Sequence, residues 1–156
     1  MTKKYLSKEE AVARIRHYCA YQERSHAEVR TRLLQLGLRG EDLEEVMVHL
    51  IEHDFLNEER YAIAFAGGKF RMMHWGRQKI RAALKARQVS EFCIQQALRA
   101  IPEADYRKAM QMETQKKLSS LRGLPEYQKK QKAVHYMVGR GYEADLLWKM
   151  LGEPED

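Results

Sequence analysis

The 156-residue sequence has little of what builds a disulfide-stapled, membrane-spanning or metal-organised protein. Its two cysteines, Cys19 and Cys93, stand far apart without partner spacing. That argues against a disulfide framework or a cysteine-based zinc site and makes a reducing cytoplasm the expected compartment. No window approaches ~20 consecutive apolar residues, so no membrane span is expected. The stretch from Met1 to Glu10 lacks the apolar run of a signal peptide. No nucleophile elbow, phosphate loop or dinucleotide fingerprint is present. Gly67-Gly68-Lys69 lacks both the earlier glycine and the Ser/Thr after lysine that a P-loop requires. Neither enzymatic activity nor a cofactor is therefore expected. His49-Leu50-Ile51-Glu52-His53 matches one zinc-peptidase pattern. Catalytic zinc needs a third ligand and an open position, and no third ligand is evident, so no metal is expected.

Strand signals are also nearly absent, and helix signals recur throughout. Ser7-Lys8-Glu9-Glu10 and Ser25-His26-Ala27-Glu28 read as capping boxes. Asn57 and Ser90 read as N-caps, and Pro102 fits the first turn of a helix. Gly37, Gly123, Gly139, Gly141 and Gly152 fall where apolar periodicity stops. Gly67-Gly68 lies inside a predicted helix, where it should either kink the helix or admit a neighbour. Nine helices are predicted in three similar sets. Shifting by 51 residues places Val29 on Ile80, Leu33 on Leu84, Leu38 on Val89, Leu43 on Ile94 and Val46 on Ala97. A further shift of 53 places these on Ala133, Met137, Tyr142, Leu147 and Met150. One offset keeps helix, turn and helix in phase, so the chain reads as all-α, built of three tandem three-helix, helix-turn-helix-like units. The units are drawn at 1–55, 56–101 and 102–156.

The formal net charge of +6 is unevenly spread. Residues 1–56 carry −1, residues 57–102 carry +6, and residues 103–156 carry +1. No acid occurs between Lys69 and Ser90. Such a zone points to an anionic partner, either nucleic acid or an acidic protein surface. In the fifth predicted helix Arg77, Arg81 and Lys85 recur at i, i+4 and i+8 as one exposed stripe, with Lys79 off that line. Lys69 and Arg71 end the helix before it, Trp75 sits at the link, and Arg87 closes the run. These eight residues are the candidate partner-binding set, for a protein surface or for DNA phosphates.

Asp54-Phe55-Leu56-Asn57-Glu58-Glu59-Arg60-Tyr61-Ala62 resembles the Gly-aromatic-Leu-Asp-Asp-x-Arg-Phe-Ala signature of the RecX regulatory proteins. Gly76-Arg77-Gln78-Lys79-Ile80-Arg81-x-x-Leu84 resembles the Gly-x-x-Arg-Ile-x-x-Glu-Leu segment that follows it there. Arg24-Ser25-His26-Ala27-Glu28-Val29 is similar to the family's opening unit, and Lys130 through Tyr142 to its third. Phe55, Leu56, Asn57, Arg60, Tyr61, Gly76, Ile80 and Leu84 carry the motif. Asp54 departs from the usual glycine, Asn57-Glu58 from an Asp pair, and Ala83 from Glu. The resemblance implies an elongated, curved helical array that lies in the groove of the RecA–DNA filament. It implies inhibition of recombinase, ATPase and co-protease activities, and so a role in recombination, DNA repair and the SOS response. The expected partner is the RecA filament, with at most weak or indirect DNA contact and no membrane; a monomer suffices. The alternative is a direct, largely non-sequence-specific DNA-binding protein built of the same units.

Overall fold

The structure is a computed structural model in which residues 6–152 are described. The residues at the two extremes of the predicted units, and the first half of the stretch read against a signal peptide, lie outside the described residues. Among these residues the chain is entirely helical. The elements are α1 (Lys8–Tyr21), α2 (His26–Gln35), α3 (Gly40–Glu52), α4 (Glu58–Met73), α5 (Arg77–Ala86), α6 (Glu91–Arg99), α7 (Glu103–Ser120), α8 (Glu126–Gly139) and α9 (Ala144–Leu151).

The helices start where the sequence supplies acceptors. The capping box at Ser25 is complete, its hydroxyl accepting from the Glu28 N–H and the Glu28 carboxylate from the Ser25 N–H. At Ser7 only the first half forms. Asn57 Oδ1 accepts from Arg60 N at 2.8 Å, and Ser90 Oγ from Cys93 N at 3.3 Å. Pro102 lies one residue outside α7 rather than in its first turn, because its extended ψ of 133 places it at the cap. Helix α4 runs through Gly67 and Gly68, with α6 packed along it beside Gly67. The nearest atoms to a Cβ on Gly67 would be those of the Arg71 guanidinium, and one on Gly68 would meet nothing within 4 Å.

The three-fold repeat is visible in the turns. Between α2 and α3, α5 and α6, and α8 and α9, the chain crosses the left-handed region at Gly37 (φ 96), Gln88 (φ 62) and Gly141 (φ 103). In each turn the next residue donates back into the helix: Leu38 N to Leu33 O, Val89 N to Leu84 O, and Tyr142 N to Met137 O, at 3.0 to 3.1 Å. This is the Schellman arrangement that satisfies late carbonyls. The residues aligned by the repeat are the buried ones: Val29, Ile80 and Ala133, then Leu33, Leu84 and Met137, all fully enclosed. Asp54 at φ 62 takes the left-handed conformation where the related motif carries glycine, which a short polar side chain tolerates.

Burial does not divide into three. One core holds residues from Ala11 to Leu56. A second runs without a break from Tyr61 to Leu147, joining α4–α6 to α7–α9. The accessible surface of 10143 Å² exceeds the roughly 8,200 Å² of a compact monomer of this mass, as an extended array requires. Among the described residues no helix is long and apolar enough to cross a membrane.

Candidate interaction surface

The link between α4 and α5 is fixed by the third unit. Helix α5 begins with no side-chain cap at Gly76. Its free N–H groups are taken by the α8–α9 turn instead: Gly76 N donates to Arg140 O and Gln78 N to Gly141 O, both at 2.9 Å. Arg77 N donates to the Tyr106 hydroxyl at 3.1 Å. The last carbonyls of α4 are met from the same side. Arg140 Nη2 donates to Met73 O at 2.6 Å, and the Tyr142 hydroxyl donates to His74 O at 2.8 Å. The backbones touch, so a Cβ on Gly76 would fall on the Gly141 carbonyl group and the Tyr142 nitrogen. Gly76 is thus required by the approach of the third unit.

That seam consumes part of the candidate set. Arg77 is held by Glu143 (2.8 Å), by Glu103 and by the Tyr106 ring, which its guanidinium covers at 3.7 Å. Burial works against its charge, yet the hydrogen bond to Glu143 and the nearby carboxylates outweigh it and raise its pKa. Glu103 lies below the usual carboxylate range, first through Arg107 and then through Arg77. Arg81 pairs with Glu91. The i, i+4, i+8 stripe is therefore not an open one. The carboxylates that cover Arg77 and Arg81 come from three later segments, and only Lys85 stands exposed.

The remaining cations lie around aromatic rings on the opposite face. Arg87 sits over Phe65 (4.7 Å), Lys69 over both Phe65 (5.6 Å) and Trp75 (5.0 Å), and Lys79 over Trp75 (4.6 Å). The result is a ladder of cation, ring, cation, ring, cation along α4 and α5, each step within the range of a cation–π attraction. Among the described residues no carboxylate lies within 4.0 Å of Lys69, Arg71, Lys79, Lys85 or Arg87. Trp75 both packs on the second core and carries two of the ladder's cations, Lys69 and Lys79. Arg71 stands apart, over Gly67 and beside α6.

The Arg87–Phe65–Lys69 end of the ladder forms one wall of an open cleft of about 860 Å³ between the first unit and the second, and Trp75 and Lys79 lie beyond it. The facing wall carries Tyr18 and Arg32, and Arg24 covers the Tyr18 ring at 3.7 Å. The acids that line the cleft are engaged: Glu28 with Arg24, and Glu23 with Arg60. Phe65, Tyr18 and Arg32 lie outside the candidate set read from the sequence. The Phe65–Lys69 spacing of four residues on one helix was the available signal. The seam residues Tyr106, Glu103 and Glu143 carried no local signal at all.

The motif residues behave as structure. Leu56, Tyr61, Ile80 and Leu84 are buried, while Phe55 lies against the first core with Arg16 over its ring. At the C-terminal end of α3 the His49 and His53 rings lie tilted against each other and His49 faces Arg16, and no group of three or more His, Cys, Asp or Glu gathers among the described residues. Burial pushes the Tyr61 and Tyr142 hydroxyls up to about 12, and that of Tyr106 further. A tyrosine whose pKa is raised on folding keeps its proton while the unfolded chain ionises near 10. Its contribution is complete below pH ~10 and is lost as pH rises through the folded value. Stability is thus expected to fall steeply between pH ~10 and about 12. In Tyr142→Phe, urea midpoints measured across that window should fall less than in wild type.

Comparison with known proteins places these features in a wider setting. The family model described as RecX, second three-helix domain, matches residues 57–98. The regulatory protein RecX of Pelodictyon phaeoclathratiforme is 30% identical over 122 residues, which cover 77% of this chain and 74% of that protein. That of Clostridium botulinum is 26% identical over 132 residues, 83% of this chain but 61% of the relative, less than two thirds of its length. The crystal structure of RecX from Lactobacillus salivarius superposes with a TM-score of 0.86 over 94% of this chain and 95% of that one, at 18% identity.

Proposed function

This chain belongs to the RecX family of regulatory proteins, and from that premise we propose that it binds the RecA–DNA filament in its groove. There it would inhibit the recombinase, ATPase and co-protease activities, and so modulate recombination and DNA repair in the cytoplasm. The reading is of a regulator that acts by occupying a surface, as a monomer of three tandem units near 1–55, 56–101 and 102–156.

The observation that carries it is the ladder of Arg87, Phe65, Lys69, Trp75 and Lys79, whose cations have no carboxylate partner among the described residues. Such cations on aromatic rings, ranged from a cleft onto the open surface beyond it, suit an extended anionic surface more than a small ligand. A filament offers both acidic protein and phosphate. Lys85 and Arg71 would extend the contact. Arg77 and Arg81 would shape it from behind, since their charges are already satisfied within the chain.

The same cations would also attract DNA directly, which is the second reading. The two part in one measurement: RecA ATP hydrolysis on single-stranded DNA, titrated with this protein at fixed moderate salt. Inhibition well below one molecule per recombinase, unrelieved by added DNA, is the expected result. Relief by added DNA transfers the function to strand binding, which should also weaken steeply with salt. No effect on the cognate recombinase overturns the proposal.

A further inference from the structure

The two joints of the array are built differently. Between the second and third units the contact is backbone to backbone and core to core. The α5 N–H groups are bonded to the α8–α9 turn, and Phe70, Tyr106 and Tyr142 form one continuous aromatic stack at 5.9 and 5.3 Å. Between the first and second units the cores are separate. Asp54, Phe55 and Leu56 belong wholly to the first unit. The N–H groups of Phe55 and Leu56 both donate to Leu50 O, at 2.9 and 3.1 Å, and the Leu56 side chain is buried in the first core. Asn57 belongs wholly to the second, since its side chain caps α4. The transition from one packed body to the other therefore takes place at Leu56–Asn57, beside an open cleft.

Two neighbouring side chains reach across that joint: the Tyr61 hydroxyl faces Glu28, and Arg60 makes the fuller contact. Arg60, in the first turn of α4, donates through Nε to Glu23 in the α1–α2 link at 2.5 Å and through Nη2 to Asp54 O at 3.0 Å. Both partners lie in the first unit. The pair is half exposed, with side-chain exposures of 41% and 31%, so it is a contact that water and salt can replace. We infer that the chain is two rigid bodies, residues 6–56 and 57–152, hinged at Leu56–Asn57 and latched by Arg60. The first body swings over the cleft, and Arg60 sets how far the Tyr18–Arg32 wall stands from the Phe65–Lys69 wall. Hinges of this kind occupy a few residues at element ends, which absorb the backbone change while the packed bodies stay intact. The device does not depend on the identity of the partner.

Distances between pairs of spin labels on the full chain test it. One pair, Ala20→Cys with Ala82→Cys, spans the first joint from exposed positions on α1 and α5. The other, Ala82→Cys with Lys132→Cys, spans the second joint between α5 and α8. The native thiols Cys19 and Cys93 are buried, and burial pushes both up, so they label slowly. The expected result is a distribution for the first pair at least twice as wide as for the second. Arg60→Gln should widen or shift the first pair alone, and the unchanged second pair reports that the variant is folded. Equal widths across both joints overturn the hinge. A first-pair distribution insensitive to Arg60→Gln overturns the latch.

Discussion

Gly76→Ala is expected to destabilise the chain by about 3 kcal/mol, at the upper end of what one added methyl does in a packed site. Gly76 has an ordinary φ of −78, so the cost is purely one of space. The added Cβ would overlap the Gly141 carbonyl carbon and oxygen and the Tyr142 nitrogen. These are backbone atoms, and they cannot swing aside as a flexible side chain could. Relief requires α5 to lift from the α8–α9 turn, which breaks the bonds from Gly76 N to Arg140 O and from Gln78 N to Gly141 O. It also leaves late α4 carbonyls without Arg140 and Tyr142. Thermal unfolding should show a loss of roughly 10 °C, given about 2–4 °C per kcal/mol for a chain of this size. Gly68→Ala is the control. Its Cβ meets nothing within 4 Å, so the change should raise stability by up to ~1 kcal/mol through helix propensity alone. Equal behaviour of the two variants would show that the seam is not close-packed.

The second large effect concerns binding. Reversing the ladder with Lys69→Glu, Lys79→Glu and Arg87→Glu together should weaken binding to RecA–DNA filaments by roughly 100-fold at low salt. That corresponds to ~1 kcal/mol for each partly exposed charge, and the difference should narrow as salt screens it. None of the three belongs to either core, so the melting temperature should stay within a few degrees of wild type. Undiminished filament binding by the triple variant would remove the ladder from the interface. Arg77 is the wrong residue for such a test, although its spacing recommends it. Arg77→Glu would set a carboxylate against Glu143 and Glu103 and open the seam, so a loss of binding would report unfolding.

The contrast between Arg77 and Lys69 shows what was legible in the sequence. Caps, turns and the repeat were readable because their causes are local. Ser25 and Glu28 are three residues apart, and Leu38, Val89 and Tyr142 each close a turn by donating to a residue five positions earlier in the chain. The repeat also foretold the buried skeleton, since shifts of 51 and then 53 residues aligned Val29 with Ile80 and Ala133. The open stripe was misread because Arg77 meets a carboxylate 66 residues away, a distance at which no spacing rule operates. Likewise Gly76 looked like a helix start, and its actual reason, the approach of Gly141, lies in backbone packing. The merging of two units into one core was hidden for the same cause: Phe70, Tyr106 and Tyr142 join only in three dimensions.

The Gly76–Gly141 contact also orders events during synthesis. The first unit closes its core using residues up to Leu56, so it can fold as soon as that much chain has emerged from the ribosome. Helices α4 and α5 cannot finish in the same way. Their junction is completed by Arg140, Gly141 and Tyr142, which arrive more than sixty residues later. Until then the start of α5 and the end of α4 carry backbone groups that only water can satisfy, and the second core lacks Tyr106 and Tyr142. The nascent chain therefore holds a folded head and an unfinished middle, which is the interval in which partly built helical proteins are most open to aggregation and to chaperones. A truncation before Arg140 would prolong that interval indefinitely.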